Sequence, residues 1–144
     1  MPLFNRGLQE LLSGSSDWDG ATDIRVLLVD TGYTFDPDHN FVSEVIAGSQ
    51  ELSASGYARQ SLASRTLTED DTNNRVVLDA ADTAFGALAT GDTVGGAVVY
   101  RHVGGTDSAN PLIGFLDVSP GIPTNGSTFT LTWSTDGLFY ADSP

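Results

Sequence analysis

The chain has 144 residues, 40% of them hydrophobic, with 19 acidic side chains against 6 basic ones, two histidines and no cysteine. That length suits one domain and can bury a core without staples, and the missing cysteine excludes disulfides, thiolate metal sites and a cysteine nucleophile. The net charge of −13 opposes binding to nucleic acid phosphates or to an anionic membrane, and no apolar run is long enough to span a bilayer.

The opening segment "MPLFNRGLQELL" lacks a charged start, a long apolar stretch and a small-residue exit, which argues against a signal peptide and for a product of the cytosol. Phe4, Leu8, Leu11 and Leu12 recur at helical spacing, and "SGSSDWDG" then breaks the pattern. Residues 1–20 therefore read as a short amphipathic helix or arm followed by a flexible joint. A helix this short needs something to pack on, either its own domain or a partner. Phe4, Leu8, Leu11 and Leu12 are the candidate partner-binding residues. Residues 21–144 read as a single β-rich domain.

"DIRVLLVD" is a nearly continuous apolar run and predicts a central strand. The next stretch, "DTGYTFDPDHNFVSEV", spaces oxygen ligands as a calcium loop does. Starting at Asp36, however, Phe41 stands where the sharp turn needs glycine, and Ala47 stands where a bidentate glutamate is needed. A helix over 36–47 accounts for the same residues: Asp36 as N-cap, Pro37 at the first position, Asp38 at the positive end of the dipole. In that reading Phe35 packs back as a staple, His39 is exposed, and Phe41, Val45 and Ile46 form the buried face.

"GSQELSASG" reads as a loop, "YARQSLASRTLT" as a strand, "EDDTNN" as a turn and "RVVLDA" as a short strand. The glycine pair in "DTVGGAVVYRHV" marks a bulge within a strand, and "PLIGFLDV" is another nearly apolar strand. In "STFTLTW", Phe129, Leu131 and Trp133 alternate with Thr128, Thr130 and Thr132, the period of a half-buried strand. "STDG" then turns the chain, and "LFY" is expected to return beside it as a hairpin. The fold class that results is mainly β, an antiparallel β-sandwich or barrel with one inserted short helix and an N-terminal arm or helix.

Few residues point to chemistry. Asp70, Asp71, Asp79 and Asp82 could pair for acid–base work or hold a hard cation, but they flank a short strand and read more simply as turn residues. His102 sits on a strand beside Tyr100, with nothing near in sequence to orient it as a base. A zinc ion would have to rest on His39, His102 and carboxylates. There is no Gly-x-Ser-x-Gly elbow, and "GGAVV" and "VGGT" lack the Gly-Lys-Ser/Thr of a phosphate loop. The reading is therefore non-enzymatic, with no catalytic or metal residue and no cofactor.

Taken in order, three segments carry a likeness: "DIRVLLVDTGYTFDPDHNFVSEV", "ELSASGYARQSLASRTLTEDDTNNRVVLDAADTAF" and "GGAVVYRHVGGTDSANPLIGFLDVSPGIPTNGSTFTLTW". From Ile24 to Trp133 the chain resembles small virion proteins of tailed bacteriophages and prophages. The likeness rests on a strand, then Tyr33-Thr34 and Asp36-Pro37-Asp38, then Ser55-Gly56-Tyr57, an Asp/Asn-rich turn, a strand ending in Tyr100, a Pro-Leu strand and a Thr-rich strand to Trp133. The resemblance implies a capsid decoration, or cement, protein on the exterior of the virion. Its partner would be the major capsid protein, and it would act as a homo-oligomer, often a trimer. It implies contact with neither nucleic acid nor membrane. Two other readings stay open: a tail or head–tail junction structural protein, and a carbohydrate- or calcium-binding β-sandwich module.

Overall fold

The apolar run at residues 24–30 needs two buried faces, and it has them. The computed structural model describes residues 1–143. In it β1 (Ile24–Asp30) lies inside an antiparallel sheet with β2 (Gln60–Ser61), β6 (Thr93–Arg101) and β7 (Leu112–Pro123), in the order β2-β1-β6-β7. On one face Ile24, Val26 and Leu28 pack with Ala97, Val99 and Ile113 against Phe85, Leu131, Trp133 and Phe139. On the other, Leu27 and Val29 join Val98, Tyr100, Leu112 and Phe115 beneath Phe4, Val42 and Val45. Each fully buried side chain of this size contributes about 1.5–3 kcal/mol, so the strand has no reason to alternate.

The first face is covered by two smaller antiparallel sheets. β3 (Thr66–Asp70), β4 (Arg75–Asp79) and β9 (Phe139–Asp142) pair in the order β3-β4-β9, while β5 (Thr83–Ala87) pairs with β8 (Thr128–Leu131). The architecture is mainly β and antiparallel, a sandwich-like fold, as the composition of strands and turns implies. Leu131 and Trp133 are buried and Phe129 is half-buried, while Thr128, Thr130 and Thr132 are exposed, so the alternation read from this strand is correct. The glycine pair does mark a bulge, between Val94 and Gly96.

Several expectations are corrected. The helix expected over 36–47 is only α2 (Val42–Val45). Residues before it are claimed by other elements: Asn40 O accepts from Leu112 N at 2.9 Å, Val42 N donates to Asn110 O at 3.0 Å, and Phe41 bridges Pro111. Strand-like pairing with the start of β7 outcompetes the extra helical turns. Asp36 closes a tight turn instead, its Oδ1 accepting from Asp38 N at 3.0 Å. Glu44 supplies the cap, its carboxylate accepting from Asn40 N at 2.6 Å and Phe41 N at 2.8 Å. Val42 rather than Phe41 joins Val45 in the core, and Phe35 stacks on Phe115 with ring centroids 5.5 Å apart.

The strand expected over 57–68 breaks into β2 and β3, with Ser64 between them at a positive φ of 51°. β5 lies in a stretch with no strand assigned from sequence. The β8–β9 hairpin does not form. Its turn is present, with Gly137 at φ 86° donating to Ser134 O at 2.9 Å. Before it, though, Trp133 N donates to Asp82 Oδ1 at 3.0 Å, and after it Leu138 N donates to Leu78 O at 2.9 Å. These bonds send the two strands into different sheets.

Residues 1–20 do not stand apart. Leu3 bridges Gly114, Phe4 N donates to Ile113 O and Phe115 N to Pro2 O, both at 3.0 Å. The first residues thus extend the central sheet beyond β7. The expected flexible joint is pinned: Trp18 is buried and its indole donates to Asp79 O at 3.1 Å. Arg65 then holds the carbonyls of Trp18, Gly20 and Thr22 at 2.5, 2.9 and 2.6 Å.

Candidate functional site

Helix α1 (Asn5–Leu12) is short, with Arg6 and Glu10 paired at 2.8 Å along one face. Its close approach to β7 depends on Gly7, where an added Cβ would lie 2.0 Å from Ile113 O. On the helix so placed, Leu8 and Leu12 are exposed beside the β3-β4-β9 sheet, while Leu11 is partly buried. Between helix and sheet lies an open apolar groove of about 270 Å³. Leu8, Leu11 and Leu12 form one wall and Leu67 and Leu78 the other, with Trp18 and Phe139 beneath.

The four residues proposed from sequence as a partner surface therefore separate. Phe4 is fully buried among Leu27, Val29 and Phe115 in the protein's own core, which withdraws it from any partner. Leu11 packs against the core from its edge. Leu8 and Leu12 are 48% and 80% exposed. Helical spacing identified all four as one apolar group but not which of them faces inward, because the sheet that decides this is distant in sequence.

Strand register adds residues that sequence reasoning missed. Leu67, Leu78 and Phe139 stand side by side across β3, β4 and β9, and Glu69, Val76 and Ala141 form the next row on the same face. Leu67 is 48% and Val76 37% exposed. Leu8, Leu12, Leu67 and Val76 thus leave large apolar side chains in water, a pattern that marks contact surfaces when the residues are contiguous. Asp17 at the groove wall and Glu69 at the sheet give this region its charge, and neither is in an ion pair among the described residues.

The basic side chains are spent elsewhere. All six are arginines. Arg6 and Arg101 both reach Glu10, Arg25 pairs with Asp23, and Arg75 pairs with Asp70 and Asp136. Arg65 is given over to backbone carbonyls. Arg59 joins Glu51 to Asp107, each at 2.7 Å, and lies 5.7 Å from the Tyr100 ring centroid. The excess of carboxylates is therefore what the surface presents.

The residues considered for chemistry are structural in their contacts. Asp70 accepts from Asn73 and Arg75 and closes the β3–β4 turn, which holds its carboxyl below the ordinary value. Asp79 accepts from Ala80 N, and Asp82 holds Trp133 N. His39 is half-buried rather than exposed, its Nδ1 3.3 Å from the Tyr33 hydroxyl. Burial pushes the Tyr33 phenol up to about 12. His102 packs edge-on to Tyr100, with ring centroids 6.5 Å apart. The Arg59 guanidinium holds the Asp107 carboxyl below its ordinary value, with burial opposing.

Fold and groove together define a small antiparallel β protein with an exposed apolar groove set among carboxylates. No family model, no curated protein and no solved structure matches the chain.

Proposed function

We propose that the chain is a structural virion protein that binds the outer face of a phage capsid and stabilises it as a decoration subunit. The observation that carries this reading is the exposed leucine groove on an otherwise acidic body whose arginines are engaged within the chain. Such a surface suits a protein that attaches through one apolar patch and keeps its remaining face soluble and non-sticky. The order of segments from Ile24 to Trp133, which resembles small phage virion proteins, supports the same reading. The partner is then the major capsid protein, and a homo-oligomer such as a trimer gains attachment through avidity, each added contact acting at high effective concentration.

The test is quantitative mass spectrometry of purified particles that contain this chain. Copy numbers near those of the major capsid protein support decoration. A handful of copies per particle moves the protein to the tail or the head–tail junction. Absence from the particles overturns the virion reading.

A further inference from the structure

We propose that the groove between α1 and the β3-β4-β9 sheet is a docking surface for a leucine-rich segment of another protein, one that carries lysine or arginine beside its apolar anchors. Three observations converge on this occupant.

The walls are apolar and incompletely buried. Leu8 and Leu12, one helical turn apart, face Leu67 across the groove, and all three are at least 48% exposed. At about 270 Å³ the space falls below the usual size of a small-molecule pocket, roughly 300–1,000 Å³. It is also open along its length, so it suits a row of inserted aliphatic side chains. That is how an amphipathic segment lies in a groove.

Charge selects the segment. Asp17 and Glu69 sit beside the apolar walls without a cationic partner among the described residues, and every arginine of the chain is committed elsewhere. A matching cation must come from the occupant. A second copy of this chain would instead bring another charge of −13 to the same place, and an anionic lipid surface would be repelled in the same way. Lysine or arginine flanking the anchors would steer the encounter and fix its orientation, while burial of leucine supplies the affinity.

The proposal stands on the groove alone; peptide binding and particle content are separate readouts, and either can fail without the other. The experiment is calorimetric titration of the full chain with a synthetic amphipathic leucine/lysine peptide. Two control peptides carry serine for every leucine, or glutamate for every lysine. Saturable binding is expected for the first peptide, with each control at least tenfold weaker. Leu12→Asp combined with Leu67→Asp changes only exposed side chains, and should weaken binding at least tenfold while leaving the melting temperature within a few degrees. Equal binding by the serine control would reduce the effect to charge alone and overturn the proposal. So would unchanged affinity in the double variant, or no saturable binding to the leucine/lysine peptide. Sedimentation that shows dimers of the wild-type chain, lost in the double variant, would give the groove to a second copy and overturn it as well.

Discussion

Glu10 of α1 and Arg101 at the end of β6 meet with Oε2 3.2 Å from a guanidinium nitrogen, and Glu10 is only 4% exposed. Arg6 reaches the same carboxylate at 2.8 Å and the Ser16 hydroxyl donates to it at 3.1 Å. Arg101 also donates to Ser15 O. This acid ties helix, joint and central sheet together. Removing one partner of a fully buried ion pair costs ~3–5 kcal/mol; here Arg6 and Arg101 keep some access to water, so the loss of Glu10 should cost less than that. Glu10→Ala should still destabilise in chemical denaturation, because it also removes the acceptor of the Ser16 hydroxyl. Glu10→Leu with Arg101→Met removes both charges and should recover part of that loss, as apolar replacement of buried pairs does. Additive losses in the double variant would show that the pair is not coupled.

Gly7 gives a second test of the same docking. Alanine ordinarily favours a helix over glycine by about 1 kcal/mol. Here its Cβ would lie 2.0 Å from the backbone oxygen of Ile113, which cannot move without disturbing β7. The steric term should win. Gly7→Ala is expected to destabilise by ~1–3 kcal/mol, the cost of overpacking. A raised melting temperature would mean that α1 stands farther from the sheet.

Phe4 and Leu12 belong to one apolar stripe in sequence but should respond differently. Phe4 is fully buried and Leu12 is 80% exposed. Phe4→Ala should cost ~3–5 kcal/mol, whereas Leu12→Ala should stay within about 0.5 kcal/mol of wild type. It follows that deleting residues 1–14 would unfold or loosen the protein. The exposed leucines are better tested by substitution. Parallel urea melts of the two alanine variants decide the point, and similar losses would contradict the placement of the helix.

Asp107 carries a pH dependence. Its carboxyl is held below the ordinary value chiefly by its hydrogen bonds from Arg59. A folded value lower than the unfolded one stabilises the protein, fully above the unfolded value of about 4. That contribution disappears as pH falls through the lower folded value. Asp107→Asn should therefore be less stable than wild type at neutral pH, with the two stability curves converging in acid. Parallel curves from pH 7 to pH 2 would show that Asp107 contributes nothing through its charge.

Much of the β architecture was legible in sequence because the signal is local. The apolar run of β1 and the alternation Phe129, Leu131, Trp133 each state a burial pattern within a few residues. The helix expected over 36–47 failed for the opposite reason. Asp36, Pro37 and Asp38 are good helix-start residues, but Asn40 and Val42 are hydrogen-bonded to Leu112 and Asn110. Capping chemistry is short-range, and pairing with a strand about 70 residues away overrode it. The separation of β8 from β9 has the same origin, since Asp82 and Leu78 take the backbone groups that a hairpin would have used.

For the candidate site, helical spacing was enough to mark Leu8, Leu11 and Leu12, and the charge balance alone showed an acidic surface. Sequence by itself determined which residues are apolar, which segments alternate, and that carboxylates exceed arginines. Only the tertiary structure decided that Phe4 is core, that Leu67 and Leu78 complete the opposite wall with Val76 in the next row of the sheet, and that each arginine is already engaged. The physical reason is that exposure belongs to a pair of surfaces. A leucine's spacing gives its direction on the helix, but whether it meets water or protein depends on the sheet that the chain folds against it.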